Sequence, residues 1–305
     1  MTHSPQVLVT QDSRAVTGTT RTYAVIGDPA NHSLSPAMHN ASFATLGIDA
    51  IYVAHTLPPE RVSAAFYGMR AMGYRGCNVT MPHKRAIFEL CDEVSNASQL
   101  MESVNTVIFR DDGSVYGTNT DGTGTFAAVE DTGHAVGETV TVLGAGGASS
   151  AIYTQAALGG IKDIQVFARQ GVNYNQALQR IETVNKALGV NIALHDLGDT
   201  QALERRVRES SFVANATSVG MEPDADQCLV EEEWLHSGQV IFDAVYYPLE
   251  TLLLQRARNA GAQTVGGLDM LLWQGVHSEE YWLERKDIPV DAMRKAMYAQ
   301  AYGKQ

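Results

Sequence analysis

The sequence predicts an α/β protein with two domains, and three observations support this fold class. The chain has 305 residues, which at roughly 100–200 residues per domain allows about two domains. Apolar strand patterns alternate with helical patterns from Arg21 onward, as is typical of α/β folds. A glycine-rich segment follows the strand pattern at Thr139–Leu143, as in a Rossmann-type doubly wound parallel sheet. We therefore expect a Rossmann-type domain, a second α/β domain and a cleft between them.

The composition excludes several classes of protein. AVILMFWYC residues make up 45% of the chain and charged residues 18%, which excludes a disordered, highly charged chain. The 22 basic and 34 acidic residues give a net charge of −12, with no basic stripe. A nucleic-acid partner is therefore not expected. No run reaches the roughly 18 apolar residues that a membrane span requires.

Cysteine usage and the N-terminal segment indicate the cellular compartment. Cys77, Cys91 and Cys228 are odd in number and lack metal-ligand spacing. This pattern predicts reduced thiols, a cytoplasmic location and no metal site. Residues 1–21 lack the apolar run of a secretion signal, so we predict a poorly ordered N-terminal extension.

The first half of the chain contains five predicted strands. They lie at residues 23–27, 51–57, 77–81, 104–110 and 114–118, and the last two flank the hairpin turn at residues 111–113. Ser35 is predicted to cap a helix that has Pro36 at its first position and ends at Gly47. The next helix is expected to bury one face, because apolar residues recur at helical spacing. These residues are Val62, Ala65, Phe66, Met69 and Met72.

The second half predicts a parallel sheet followed by two helices. Six strands are expected at residues 139–143, 163–168, 191–197, 212–216, 240–246 and 263–265, with helices in most of the intervals. A helix at residues 268–283 is separated by Pro289 from a final amphipathic one. We predict a dinucleotide-binding domain at residues 122–267. Residues 22–121 plus 268–305 would form the substrate-binding domain.

The glycine-rich loop predicts a dinucleotide site. Gly144, Gly146 and Gly147 allow backbone N–H groups to approach a pyrophosphate at a helix N-terminus. The strand before the loop and the helix and strand after it favour this function over a purely structural turn. At the end of the next predicted strand, Arg169 is present and no acidic residue is. An arginine there favours the 2′-phosphate of NADP over NAD, although a solvated strand end is the alternative.

Four polar clusters lie at predicted strand ends, hairpin ends or helix starts, where open α/β sheets bind ligands. They occupy residues 31–36, 78–84, 104–106 and 117–122, and their donors suit a polyhydroxylated acid rather than a metal. With these clusters, the chain resembles the shikimate dehydrogenase family, including its quinate/shikimate branch. The resemblance rests on eight segments in the family's order: HSLSP, NVTMPHK, VNT, GTNTDG, GAGGAS, NATSVGM, VYYP…T…LL and GLDMLLWQ.

The resemblance implies a role for each matching position. Lys84 and Asp121 would be the catalytic pair. The implied substrate contacts are Ser33 and Ser35 for the carboxylate, Thr80, Asn105 and Gln274 for ring hydroxyls, and Tyr246 near the ring or carboxylate. The implied cofactor contacts are Gly144, Ala145, Gly146, Gly147 and Ala148 around the pyrophosphate, Arg169 at the adenosine ribose, Asn215, Thr217 and Met221 along the nicotinamide side, and Gly267.

The implied activity is hydride transfer between NADP or NAD and shikimate/3-dehydroshikimate, with quinate/3-dehydroquinate as a further pair. Either Lys84 or Asp121 could accept the proton, and the sequence leaves this open. Thr80 follows the shikimate-specific pattern, whereas the Trp273-Gln274 ending is similar to the quinate/shikimate branch. The alternatives are a quinate- or aminoshikimate-preferring dehydrogenase and a non-catalytic dinucleotide-binding sensor. The presence of both Lys84 and Asp121 argues against the sensor. The chain is expected to be a monomer or homodimer.

The chain also departs from the family pattern. Glu102-Ser103 stands where a Gly-Ala pair is usual, so local packing is expected to differ. The second basic residue of the NADP-specific members is missing after Arg169, and so is the Asp that quinate/shikimate members often have at the position of Gly171.

Overall fold

Two six-stranded sheets form the framework of the protein in the computed structural model, which describes residues 16–303. Both sheets are connected largely through helices, which confirms the predicted α/β class. Most of the predicted N-terminal extension, residues 1–15, lies outside the described residues. No helix within residues 16–303 is long and apolar enough to cross a membrane.

The first sheet brings the ends of two motif-bearing strands together. Its strands are β1 (Arg21–Gly27), β2 (Ala50–Thr56), β3 (Gly76–Val79), β4 (Glu93–Val94), β5 (Thr106–Phe109) and β6 (Val115–Thr118). Their order is β2-β1-β3-β5-β6-β4, and β1 is parallel to both β2 and β3. The β5–β6 hairpin is confirmed. Because β1 and β3 are parallel neighbours, the motifs that follow them emerge at the same edge.

Five helices lie in the first half of the chain, and two sequence predictions about them are wrong. The helices are α1 (Ser35–Leu46), α2 (Val62–Ala71), α3 (Lys84–Phe88), α4 (Asn96–Met101) and α5 (Asp121–Asp131). Leu34, not Ser35, is the N-cap of α1, and the Ser33 hydroxyl accepts the Ser35 N–H at 3.2 Å. Met72 is 70% exposed rather than buried, because α2 ends at Ala71.

The second sheet is parallel throughout and has a topological switch point. Its strands are β7 (Thr139–Leu143), β8 (Asp163–Ala168), β9 (Asn191–Asp196), β10 (Phe212–Asn215), β11 (Val240–Asp243) and β12 (Gln263–Gly266). The order is β12-β11-β10-β7-β8-β9, so the connections run in opposite directions from β7 and β10. Such a switch point opens a ligand crevice at the carboxyl ends of the strands.

The remaining helices either cover the second sheet or pack against the first half of the chain. The helices α6 (Gly147–Leu158), α7 (Val172–Leu188), α8 (Thr200–Glu209) and α9 (Leu252–Asn259) belong to the second half, and α10 (Gly267–Leu283) and α11 (Val290–Tyr302) end the chain. Met38 of α1 shares a core with α10 and α11, and the indole N–H of Trp282 donates to the Val107 carbonyl at 2.9 Å. Each proposed domain, residues 22–121 with 268–305 and residues 122–267, would thus contain one sheet.

Candidate active site

An ion pair joins two helix starts at the edge of the first sheet. Lys84 is the first residue of α3 and Asp121 the first residue of α5. The Lys84 Nζ donates to the Asp121 Oδ2 at 2.5 Å, and their side chains are 22% and 9% exposed. The position of Asp121 at a helix N-terminus favours its negative charge. The pair is therefore sheltered, with the lysine as its more accessible member.

Two further predicted residues lie beside the ion pair: Asn105 contacts the Asp121 carboxylate, and Gln274 contacts Asn105. The Asn105 Nδ2 donates to the Asp121 Oδ1 at 2.7 Å, and the Gln274 Oε1 lies 3.5 Å from the same nitrogen. The Asn105 Oδ1 accepts the Thr120 N–H at 2.9 Å, which fixes the orientation of the amide. Both carboxylate oxygens of Asp121 are thus engaged. The structure brings together Lys84, Asp121, Asn105 and Gln274, which lie far apart in sequence.

A glycine on α5 allows Gln274 to approach this cluster. A Cβ atom added at Gly124 would lie 2.6 Å from the Gln274 backbone nitrogen, a distance that real Cβ contacts do not reach. The α5 and α10 backbones therefore approach at this point more closely than any larger residue permits. Any substitution of Gly124 would displace Gln274 or α5.

Ser35, in the predicted polar cluster at residues 31–36, contacts a buried tyrosine that was not predicted as a site residue. Ser35 is buried, and the Tyr52 hydroxyl donates to the Asn78 Oδ1 at 2.7 Å. Burial raises the pKa of Tyr52 well above its ordinary value, and a hydrogen bond with the Ser35 side chain partly offsets this rise. The sequence predicts Tyr52 only as part of an apolar strand, and its phenol group is the signal that could have identified it.

Three predicted substrate residues remain separate from the Lys84–Asp121 ion pair. Within residues 16–303, Ser33, Thr80 and Tyr246 form no side-chain hydrogen bond with Lys84 or Asp121. Thr80 follows β3, and Tyr246 follows β11 with 37% exposure. Their hydroxyl groups are thus not part of the hydrogen-bond network around Asp121.

The glycine loop fits an anionic dinucleotide. Gly144 has a φ of +123°, and a Cβ added there would lie 2.8 Å from the Ala216 carbonyl oxygen, so glycine is required. The Ser149 hydroxyl donates to the Gly144 carbonyl at 2.8 Å, which explains a serine at the third small position. The space around Gly146 and Gly147 is open to 4 Å. Ala148 is the second residue of α6, and the N-terminus of this helix can therefore receive a pyrophosphate.

Two arginines lie near this loop, and one was missed from sequence. Arg169 is exposed at the end of β8. Arg180 on α7 donates from Nη2 to the Ala145 carbonyl at 2.8 Å, and its buried Nε has no partner in the described part of the chain. The sequence shows Arg180 only as one polar residue of an amphipathic helix. Its guanidinium group thus ties α7 to the backbone of the glycine loop.

The three residues predicted for the nicotinamide side lie at the end of β10 or in the loop after it. Asn215 is buried, and its Oδ1 accepts the Thr217 hydroxyl at 2.7 Å. Met221 is exposed, and a Cβ added at Gly267 would lie 2.4 Å from the Ala244 carbonyl. Asp243 underlies this region, and burial raises its pKa to about 6.

Sequence comparisons connect this arrangement with known proteins. A model of the shikimate dehydrogenase substrate binding domain matches residues 25–107, and one of the shikimate 5′-dehydrogenase C-terminal domain matches residues 267–298. The shikimate dehydrogenase (NADP(+)) of Listeria monocytogenes is 40% identical over 285 residues, covering 93% of this chain and 97% of the relative. The chain belongs to the shikimate dehydrogenase family.

Solved structures of the family share the fold. Shikimate 5-dehydrogenase from Listeria monocytogenes, in complex with shikimate and NAD, aligns with a TM-score of 0.88 and 38% identity, covering 94% of this chain and 99% of that chain. Quinate dehydrogenase from Corynebacterium glutamicum, in complex with NAD, aligns with a TM-score of 0.82 and 26% identity, covering 92% and 99%. Both family branches expected from sequence thus occur among structural neighbours.

The departure from the family pattern before Asn105 changes local contacts. Glu102 follows α4 in the left-handed conformation, with a φ of 49°, where a glycine would have no Cβ penalty. Its carboxylate pairs with Arg85, and the Ser103 hydroxyl accepts the Asn119 amide at 3.3 Å. Glu102 and Ser103 thus form side-chain contacts that a Gly-Ala pair could not form. The Asn105 amide nevertheless donates to Asp121.

A buried pair of ionisable side chains lies apart from the candidate site. His39 is fully buried, and its Nδ1 lies 2.7 Å from the equally buried Glu279 Oε1. Ser42 donates a second hydrogen bond to Glu279. Among residues 16–303, no group of three or more His, Cys, Asp or Glu side chains is placed to hold a metal ion.

Proposed function

We propose that this chain is a shikimate dehydrogenase that interconverts shikimate and 3-dehydroshikimate with NADP or NAD. The observation that carries the proposal is the Lys84–Asp121 ion pair, which Asn105 completes at the motif-bearing edge of the first sheet. The second sheet contributes a glycine loop suited to a dinucleotide at its switch point. Shikimate and the dinucleotide would react in the cleft between the two sheets.

The side chains suggest how the proton is handled. When bound, the nicotinamide ring supplies the hydride acceptor for alcohol oxidation. The Asp121 oxygens already accept hydrogen bonds from Lys84 and Asn105, so the carboxylate orients the lysine. Lys84 is the more exposed partner. We therefore assign to Lys84 the contact with the reacting hydroxyl, where it takes the proton or stabilises the developing alkoxide.

The remaining polar residues would recognise the substrate. We assign the carboxylate to Ser33 and Ser35 and the ring hydroxyls to Thr80, Asn105 and Gln274, with Tyr246 beside the ring. Hydroxyl and amide groups can both donate and accept hydrogen bonds, as ring hydroxyls require. Quinate has the same carboxylate and hydroxyl chemistry, and a quinate dehydrogenase is a structural neighbour. Quinate is therefore the second candidate substrate.

A matrix of assays tests the function. Purified protein is supplied with shikimate or quinate and with NADP+ or NAD+, and the absorbance of the reduced nicotinamide is recorded. Turnover is expected with shikimate and NADP+. Dinucleotide binding without turnover in any combination would contradict the proposed dehydrogenase activity and support a non-catalytic dinucleotide-binding sensor.

Cofactor preference is proposed to depend on Arg169. The curated Listeria relative is named for NADP(+), whereas a solved Listeria structure contains NAD. Arg169→Ala is expected to raise the KM for NADP+ about tenfold, because a charge-assisted hydrogen bond to the 2′-phosphate is lost. The KM for NAD+ should change less than about twofold. The matched control is Arg205→Ala, an exposed arginine on α8. Equal effects on both cofactors would contradict this assignment.

A cytoplasmic location forms part of the proposal. The three cysteines are free thiols, which is usual in reducing compartments. Burial raises the pKa of Cys91 to about 12 and also raises the pKa of Cys77 and Cys228. Neutral thiols are poor nucleophiles, so none of them is proposed to be catalytic. A monomer or homodimer stays a prediction.

A further inference from the structure

A buried carboxylate links the loop after β10 to two neighbouring segments. Asp243, the last residue of β11, is fully buried. Its Oδ1 accepts the Asn215 Nδ2 at 2.9 Å and the Val245 N–H at 3.0 Å, and its Oδ2 accepts the Thr251 hydroxyl at 2.6 Å. Among the described residues it forms no salt bridge. A buried carboxylate with no cation is costly, and three donors offset that cost.

Asp243 determines which way the Asn215 amide faces. The Asn215 Nδ2 is directed to Asp243, so the Oδ1 at the other side accepts the Thr217 N–H at 3.1 Å and its hydroxyl at 2.7 Å. The same Nδ2 donates to the Val219 carbonyl at 3.1 Å. Asp243 is the acceptor of the Asn215 amide that lies outside this loop, so its loss leaves the Nδ2 with only the Val219 carbonyl. Asp243 thus ties the loop at residues 215–219, through Asn215, to the end of β11.

The position of this loop relates it to one half of a dinucleotide. In a doubly wound sheet, each half of the dinucleotide lies over one half of the sheet, across the switch point. The glycine loop after β7 and Arg169 after β8 lie on one side, and the ends of β10 and β11 lie on the other. The adenosine half belongs to the first side. The loop at residues 215–219 therefore faces the nicotinamide half.

We propose that Asp243 is a positioning residue that holds the loop at residues 215–219 for the nicotinamide half of the cofactor. This inference rests on the proposed dehydrogenase function. Asp243 itself is buried beneath the loop and acts through Asn215. Thr251, also fully buried, orients Asp243 from the start of α9, where its hydroxyl accepts the Leu254 N–H at 3.4 Å.

The test uses two ligands that share the adenosine half. Binding of NADP+ and of adenosine 2′,5′-bisphosphate is measured by titration calorimetry for the wild type, T251V, T251S, D243N and D243A. T251V removes one hydrogen bond to a charged acceptor and is expected to weaken NADP+ binding about tenfold. T251S keeps the hydroxyl and should bind within about twofold of the wild type. Binding of adenosine 2′,5′-bisphosphate should change less than about twofold in every variant.

The Asp243 variants provide an independent check. D243N can present its oxygen to Asn215 and its amide to the Thr251 hydroxyl, which can also accept. We expect a loss of NADP+ affinity below about threefold for D243N and above about tenfold for D243A. If D243A does not fold, the T251V and T251S pair decides the question.

Two outcomes would overturn the inference. One is unchanged NADP+ binding in T251V, and the other is an equal loss for both ligands, which indicates a general effect on the fold. Failure of the wild type to bind either ligand would instead contradict the proposed function. Wild-type turnover with shikimate and NADP+, combined with unchanged binding in T251V, would contradict only the role of Asp243.

Discussion

Replacement of Lys84 by methionine is expected to lower kcat by about 10³-fold while the Kd for NADP+ changes less than about twofold. Methionine keeps the unbranched stem but can neither take a proton nor stabilise an alkoxide. A positioned acid–base group contributes about 10²–10⁴-fold to a rate, and stabilisation of the developing charge adds to this effect. The dinucleotide contacts lie on the second sheet, so cofactor affinity should be preserved.

Turnover with shikimate and calorimetric binding of NADP+ are both measured for Lys84→Met. The matched control is Arg85→Ala, which removes the next cation along α3; that arginine pairs with the surface residues Glu89 and Glu102. The control should retain its kcat within about twofold. A proportional loss of kcat and NADP+ affinity in Lys84→Met would mean that the ion pair only holds two loops together. Thermal unfolding identifies a variant that fails to fold.

Replacement of Glu279 by alanine is expected to lower the free energy of unfolding by about 3–5 kcal/mol. Glu279 and His39 are both fully buried, and Ser42 donates to the same carboxylate. The second ring nitrogen of His39 has no hydrogen-bond partner in the described part of the chain, so removal of Glu279 leaves both ring nitrogens without one. The expected loss is a large fraction of an ordinary stability of about 5–15 kcal/mol.

Chemical denaturation at neutral pH measures this loss, and two variants serve as controls. Glu89→Ala removes an exposed carboxylate that pairs with Arg85 four residues earlier and should cost only about 0.3–0.5 kcal/mol. Glu279→Gln keeps polar contacts for His39 and Ser42 without the negative charge and should cost less than Glu279→Ala. If Glu279→Ala costs no more than Glu89→Ala, the buried pair does not stabilise this fold.

Local sequence patterns predicted the class of fold and most of the elements. Strand β7 and the glycine loop after it could be predicted because apolar runs and glycine have local conformational consequences. The ends of the strands were less well predicted. The strand expected at residues 240–246 ends at Asp243, because that carboxylate accepts the Val245 N–H and turns the chain out of the sheet. The elements β4 and α4 were not predicted, since both are short and carry weak periodicity.

The candidate site was predicted as a set of residue types rather than as an arrangement. The family resemblance implied Lys84, Asp121, Asn105 and Gln274, and the first three also lie in polar clusters at predicted element ends, which are typical of a ligand site. It contained no information on Tyr52, Arg180 or Asp243. Each of these looks like an ordinary strand or helix residue until its neighbours are known.

The amino-acid sequence alone was sufficient for the α/β class, the dinucleotide loop and the resemblance to shikimate dehydrogenases. These features depend on short segments, whose backbone preferences and spacing are local properties. Only the tertiary structure showed that Gly124 lets α5 approach Gln274, or that His39 pairs with Glu279, 240 residues away. Burial and hydrogen bonding between distant segments arise from packing, and packing depends on the whole chain.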